Sequence, residues 1–318
     1  PKTAKSECTF LHKLFNMFRL YEDIKLLTQN QLGVLYMTGS VVCFSIMDIC
    51  VKWLDYYPVG QVLFFRFFIG FIPIFFIIPR DKIFNFYKTS RPGLHAFRAV
   101  CGALAIIALF YGLRELPLAD VISLTFAGPI FVTIASIFFL SEKVGVKRWS
   151  AVFLGFFGMI LIIQPAFREL NYYYISPIIF CIFFACVAIS VRSLSKTEAN
   201  YTIAFYFTFL CTLIGLGSLF FVNWIMPTKI DFLIFLIIGL CGSIANLLLT
   251  QSYRLAEASL VTPIKYLSLV FAIIFGFLIW GEIPKALTLL GAGLVIISSL
   301  IIFVRENRLK KEIDIPRT

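Results

Sequence analysis

Long apolar stretches alternate with short clusters of charge, proline and glycine along almost the whole chain. Ten of them lie near residues 31–54, 58–79, 93–113, 118–140, 148–165, 174–194, 201–225, 231–253, 258–280 and 284–304. Each is close to the roughly 20 residues that an α-helix needs to cross a hydrocarbon core. Apolar positions run on rather than alternate with polar ones, which predicts helices and not the strands of a membrane barrel. The connections are short, so successive helices run antiparallel. Ahead of the first stretch, Phe10, Leu11, Leu14, Phe15, Phe18, Tyr21 and Ile24 recur at helical spacing, with Lys13, Arg19, Glu22 and Lys25 between them. Residues 1–30 therefore predict a cytoplasmic amphipathic segment lying on the membrane surface. No continuous apolar core and no small-residue cleavage site follow its charges, so no signal peptide is expected.

Composition agrees with the pattern. The chain has 318 residues, 60% hydrophobic and 14% charged, against about 45–50% and about 25% in soluble domains. A water-soluble globule could not cover so much apolar surface, which excludes a soluble enzyme. Basic residues orient the helices. With the N-terminus in the cytoplasm, 20 of the 28 Lys and Arg fall inside, including a basic tail at 305–318, and four fall outside: Arg114, Arg168, Lys229 and Lys285. The expectation is a multi-pass protein of the cell inner (plasma) membrane with both termini cytoplasmic. The net charge of +11 then faces an anionic leaflet and needs no nucleic acid. Seven of the eight cysteines lie in predicted spans with no CxxC pair, so they are read as inert apolar positions.

The chain also repeats itself. A shift of 140 residues pairs Glu142 with Glu282, Arg114 with Arg254, Gly102 with Gly242, Cys101 with Cys241 and Lys52 with Arg192. The copies are residues 31–165 and 174–304, with five spans each. An odd number of spans turns the second copy upside down. The expected fold is an all-α membrane protein of ten transmembrane helices in two inverted five-helix repeats. Inverted repeats with a site near mid-membrane are the signature of carriers that work by alternating access.

Four ionised positions have uncharged repeat mates: Asp48 (Ala188), Arg66 (Tyr206), Arg98 (Ile238) and Lys265 (Thr125). A charge inside the bilayer costs at least about 2.5–3.5 kcal/mol on insertion scales, so it persists when paired, hydrated or useful. Arg66 lies roughly 12 Å into the second span, at 1.5 Å per residue. Asp48 is its nearest expected counter-charge, with Lys52 one turn on as the other partner. Lys265 and Tyr266 follow Pro263, which weakens the helix there. Arg98, with His95, is shallower and could snorkel to headgroups. Asp120 is read as a solvated end charge. Asn246 and Gln251 are span amides that glue helices or bind solute, and Tyr111 is the repeat mate of Gln251. The candidate substrate-binding residues are thus Asp48, Arg66, Arg98, Tyr111, Asn246, Gln251, Lys265 and Tyr266. Gly102, Gly155, Gly158, Gly242, Gly291 and Gly293 are expected to allow close helix packing. With two histidines and no HExxH, GxSxG or P-loop, no catalytic residue, metal or cofactor is expected.

These features resemble the EamA type of the drug/metabolite transporter superfamily. The strings "FYGLRELPLADVISLTFAGPIFVTIASIFFLSEKVGVKRWSAVFLGFFGMILIIQP" and "ASLVTPIKYLSLVFAIIFGFLIWGE" look like the corresponding parts of two EamA domains. "MDICVKWL", "FFRFF", "TSRPGLHAFRA" and "TPIKYLSLV" are similar to strings of S-adenosylmethionine uptake carriers and, nearly as well, of related organic-anion carriers. Ser268 stands where those S-adenosylmethionine carriers tend to have Glu. The resemblance implies a central cavity lined by spans 1–4 and 6–9. Together with the unmatched charges, which have to be neutralised during a transport cycle, it leads to the expected function: secondary-active transport of a small charged metabolite, an organic anion or zwitterion with an S-adenosylmethionine-like solute left open, across the inner membrane by alternating access and exchange. The expected partners are that small-molecule substrate and the lipid bilayer, with a homodimer left open. The alternatives are a proton-coupled drug or amino-acid exporter of the same fold, a channel or scramblase, and a membrane-embedded transferase. A channel would need a continuous hydrophilic path and a transferase a catalytic pair, and neither is legible.

Overall fold

The computed structural model describes residues 29–76, 78, 87–140, 146–169, 171–194, 197–255 and 262–314. The amphipathic segment ahead of Gln29, Glu142, and the side chains of Arg192, Arg254 and the basic tail lie outside the described residues.

All regular structure among the described residues is helical: α1 Gln29–Trp53, α2 Val59–Phe75, α3 Pro92–Glu115, α4 Leu118–Thr125, α5 Gly128–Leu140, α6 Val146–Glu169, α7 Ile175–Leu194, α8 Asn200–Gly217, α9 Lys229–Leu255, α10 Leu267–Trp280 and α11 Ala286–Asp314. Five apolar helices are long enough to cross a membrane, and five shorter ones complete the ten expected spans. The protein is a multi-pass membrane protein. Proline marks several starts: Pro58 and Pro117 precede α2 and α4, and Pro92 opens α3, where a missing N–H costs nothing. Gly281, at φ 67°, ends α10 in the left-handed conformation that a side chain would disfavour.

Several boundaries differ from the sequence reading; the span expected at 201–225, for one, ends as α8 at Gly217 and passes into a 3-10 turn, Ser218–Phe220. The span expected at 118–140 is interrupted at Phe126–Ala127 and becomes α4 and α5. Pro129 lies in the first turn of α5 and has no N–H for the carbonyl four residues back. That carbonyl, Thr125 O, instead accepts from Cys181 Sγ at 3.8 Å. The ninth span opens as a 3-10 turn, Thr262–Tyr266, around Pro263, and turns α-helical at Leu267. Phe126 and Tyr266, at the two interruptions, are 140 residues apart, which is the repeat shift. The last helix runs to Asp314 rather than ending near 304.

Two compact units emerge, each drawing on both halves of the chain: residues 1–50, 56–100 and 191–265, and residues 51–55, 101–190 and 266–318. In the first, α2 packs between α8 and α9. A Cβ on Gly215 of α8 would lie 2.7 Å from the Phe64 backbone, so the two helices meet at main-chain distance. Ser40 and Ser252 hydroxyls tie α1 to α9 by donating to Ala245 O at 2.8 Å and Gly33 O at 2.7 Å. Such bonds matter in a bilayer, where no hydrophobic force separates helix from lipid.

In the second unit α6 lies along α11. A Cβ on Gly158 would come 2.8 Å from Gly291 O, and one on Gly291 would come 2.5 Å from Gly158 O. Gly293, expected to serve packing as well, has open space where a Cβ would stand.

Candidate solute-binding site

A cavity of about 200 Å³ lies in the first unit. Arg66 and Phe67 of α2, Arg98 of α3, Phe207 and Thr208 of α8, and Asn246 of α9 line it. Arg66 is 6% exposed and has room because α9 carries glycine opposite it. A Cβ at Gly242 would approach Arg66 Nε and Met47 Sδ to 3.0 Å each. The two guanidiniums are stationed over aromatic faces, Arg66 4.9 Å from the Phe67 centroid and Arg98 4.2 Å from that of Phe207. A cation over a ring gains about 0.5–2 kcal/mol, less than the cost of burying it. Asp48 of α1 is buried, and its charge acts on Arg66. Asp48 Oδ1 and Arg98 Nε and Nη1 make no hydrogen bond. Among the described lining residues the charged ones are Arg66 and Arg98, both cationic, and Arg98 brings unmet donors to the wall. This is chemistry suited to a carboxylate or phosphate.

Of the eight residues singled out from sequence, Arg66, Arg98 and Asn246 line this cavity, and Asp48 acts on it through Arg66. Asn246 Nδ2 donates to Gly242 O at 2.9 Å, which leaves its carbonyl oxygen for other use. Lys265 stands with its ammonium 5.1 Å from the Tyr253 ring, and Tyr111 is largely exposed on α3. Tyr266 packs on Phe126 and donates to Ile296 O at 3.4 Å. Gln251, half-buried on α9, is not among the lining residues. The aromatic floor, Phe67 and Phe207, and the hydroxyls of Thr208, Ser243 and Thr250 were not singled out. In a chain this rich in Phe and Thr, no spacing distinguishes a residue facing a cavity from one facing lipid.

Two further expectations change. Lys52 does not take Asp48 as its partner. Its Nζ lies 2.6 Å from Glu282 Oε1 and donates to Leu116 O at 2.5 Å. Glu282 also accepts from the Leu118 N–H at 2.8 Å, capping α4 with a carboxylate where the helix end is positive. Asp120 is no solvated end charge. It is 4% exposed and accepts from Tyr174 Oη at 2.5 Å, because the 3-10 turn Tyr172–Tyr174 before α7 buries its last tyrosine against it.

Polar clasps close both ends of the first unit. At one, Asp231 accepts from Tyr56 Oη at 2.6 Å, Tyr57 Oη at 2.9 Å and Thr228 Oγ1 at 2.6 Å. At the other, Glu198 in the α7–α8 turn accepts from Thr89 Oγ1 at 2.8 Å and the Ser90 N–H at 3.1 Å. Burial works against the charged form of Glu198, but these donors outweigh it and hold the carboxyl below the usual carboxylate range.

Comparison with known proteins follows the same line. Residues 31–164 and 171–304 each match the EamA-like transporter family. The chain is 28% identical to a riboflavin transporter of Rhizobium johnstonii, over 88% of this chain and 93% of that protein. It is 28% identical to the pseudopaline exporter CntI of Pseudomonas aeruginosa, with 84% and 94% covered. An S-adenosylmethionine uptake transporter of Rickettsia prowazekii is also 28% identical, with 87% and 94% covered. A solved crystal structure superposes with a TM-score of 0.59 at 14% identity, covering 86% of this chain and 97% of that one, a likeness of fold alone. The family and these relatives are transporters and not enzymes.

Proposed function

We propose, from the premise that this chain belongs to the EamA-like transporter family, that it carries a small organic anion or zwitterion across the inner membrane by alternating access. The observation that carries this reading is the pair of guanidiniums, Arg66 and Arg98, lining one cavity. Arg66 and Arg98 hold a carboxylate or phosphate, Asp48 balances Arg66, and Asn246 with Thr208 orients the rest of the solute. Phe67 and Phe207 support apolar or planar parts of it. A solute anion against Arg66 and Arg98 offsets their charge during the swing, which favours exchange of one anion for another over return of the empty carrier. The relatives transport three differently named solutes at the same identity to this chain, so identity alone selects none of them. Two five-span copies, 31–165 and 174–304, related by inversion supply the two access states, and both termini are cytoplasmic.

The test is a thermal-shift screen of the purified protein against anionic, zwitterionic and cationic metabolites, followed by counterflow of each hit in proteoliposomes. Anionic hits with trans-stimulated uptake, lost in Arg66→Gln, support the reading. Stabilisation by cations alone, or uptake without trans-stimulation, overturns it.

A further inference from the structure

One turn before Arg98 on the same helix, His95 is 1% exposed. Neither ring nitrogen has a hydrogen-bond partner. A neutral imidazole carries one N–H donor and one acceptor nitrogen, so both functions of this ring are unmet. Buried polar groups are nearly always satisfied, and each exception calls for a reason. The ring is held by its face instead. Tyr206 of α8 lies against it with centroids 4.6 Å apart, and Tyr206 Oη is anchored on Tyr87 O at 2.5 Å. The titratable and charged groups facing the ring are Glu198 from the α7–α8 turn, Tyr206 from α8 and Arg98 from its own helix. Glu198 brings a negative charge to this end of α3, and Arg98, one turn on, a positive one. The balance between them changes when Arg98 acquires a negative partner.

From this placement we infer that His95 is a proton-binding position coupled to anion binding at Arg98, so that anion and proton cross the bilayer together. The inference rests on the reading of Arg66 and Arg98 as an anion site. An anion against Arg98 cancels the repulsion that an imidazolium at His95 would feel, and by linkage a proton on His95 tightens the anion. A pH difference across the bilayer then biases the exchange. Neutral imidazole and imidazolium differ only by the proton, so no further reactant is involved.

The chain has two histidines, His12 and His95, so ring-labelled histidine gives two signals, and the one that remains in a His12→Gln variant is that of His95. The full chain in lipid nanodiscs is titrated from acid to neutral pH with sodium sulfate or with sodium chloride at equal ionic strength. Sulfate binding is read separately from the melting temperature. The expected result is a His95 midpoint about one pH unit higher in sulfate, equivalent to about tenfold tighter sulfate binding by the protonated form. The shift disappears in Arg98→Gln and persists in Arg98→Lys. Sulfate that stabilises the protein while the His95 midpoint stays put overturns the coupling and leaves the anion site standing. An equal shift in Arg98→Gln also overturns it. Sulfate that moves neither readout overturns both the anion site and the coupling.

Discussion

Phe126 and Tyr266 meet edge to face, ring centroids 5.0 Å apart and planes at 89°. Each sits where a helix is interrupted, and each is the other's counterpart under the 140-residue shift. Truncating either ring to alanine should weaken the protein. A double-mutant cycle on melting should return a coupling of about 0.5–1.5 kcal/mol for the pair. Additive losses would mean that the rings pack independently.

Lys52 and Glu282 form an ion pair at 2.6 Å with side chains 6% and 21% exposed. Removing one partner of a buried pair strands the other, at about 3–5 kcal/mol. Lys52→Met should therefore lower the melting temperature sharply. Glu282→Gln should lower it less, because a Gln oxygen still accepts from the Leu118 N–H. Equal losses from the two variants would show that loss of Lys52 does not strand the Glu282 carboxylate.

Gly242 gives the Arg66 guanidinium its place. Gly242→Ala puts a methyl 3.0 Å from Arg66 Nε, so the side chain must shift. Anion-dependent stabilisation should fall at least tenfold in apparent affinity, with the melting temperature of the anion-free protein changed by only a few degrees. Unchanged affinity would mean that the guanidinium's present position is not the binding one.

Glu198 sets an acid limit on its clasp. Its carboxyl in the folded protein lies below the ordinary value of 4.5, so the clasp contributes stability above that pH and loses it as pH falls through the lower folded value. Hydrogen exchange at the Ser90 amide, bonded to Glu198 at 3.1 Å, should therefore speed up relative to neighbouring amides as pH drops below about 4.5. Glu198→Gln should flatten this dependence.

Gly158 and Gly291 should each reject a larger residue. Leucine at either would drive α6 and α11 apart, since a single Cβ already lies within 2.8 Å of the opposite carbonyl. Folded yield after detergent extraction should collapse for Gly158→Leu and stay near wild type for Gly293→Leu, whose Cβ meets nothing.

The sequence by itself determined the ten apolar helices, because a hydrocarbon core demands about 20 unbroken apolar residues and an internally bonded backbone. It also exposed Asp48, Arg66 and Arg98, since a charge in so apolar a context stands out wherever it occurs. Tertiary structure decided the rest. That Arg66 and Arg98 share a cavity while Lys265 stacks on Tyr253 depends on which way each helix is turned, and a helix apolar all round carries no mark of its orientation. That Lys52 finds Glu282, and Asp120 finds Tyr174, depends on contacts between distant segments, which charge spacing along one helix cannot reveal. The interruption at Phe126 was equally hidden. Pro129 permits a break, and the packed neighbour Cys181 supplies a donor for the carbonyl that the break releases.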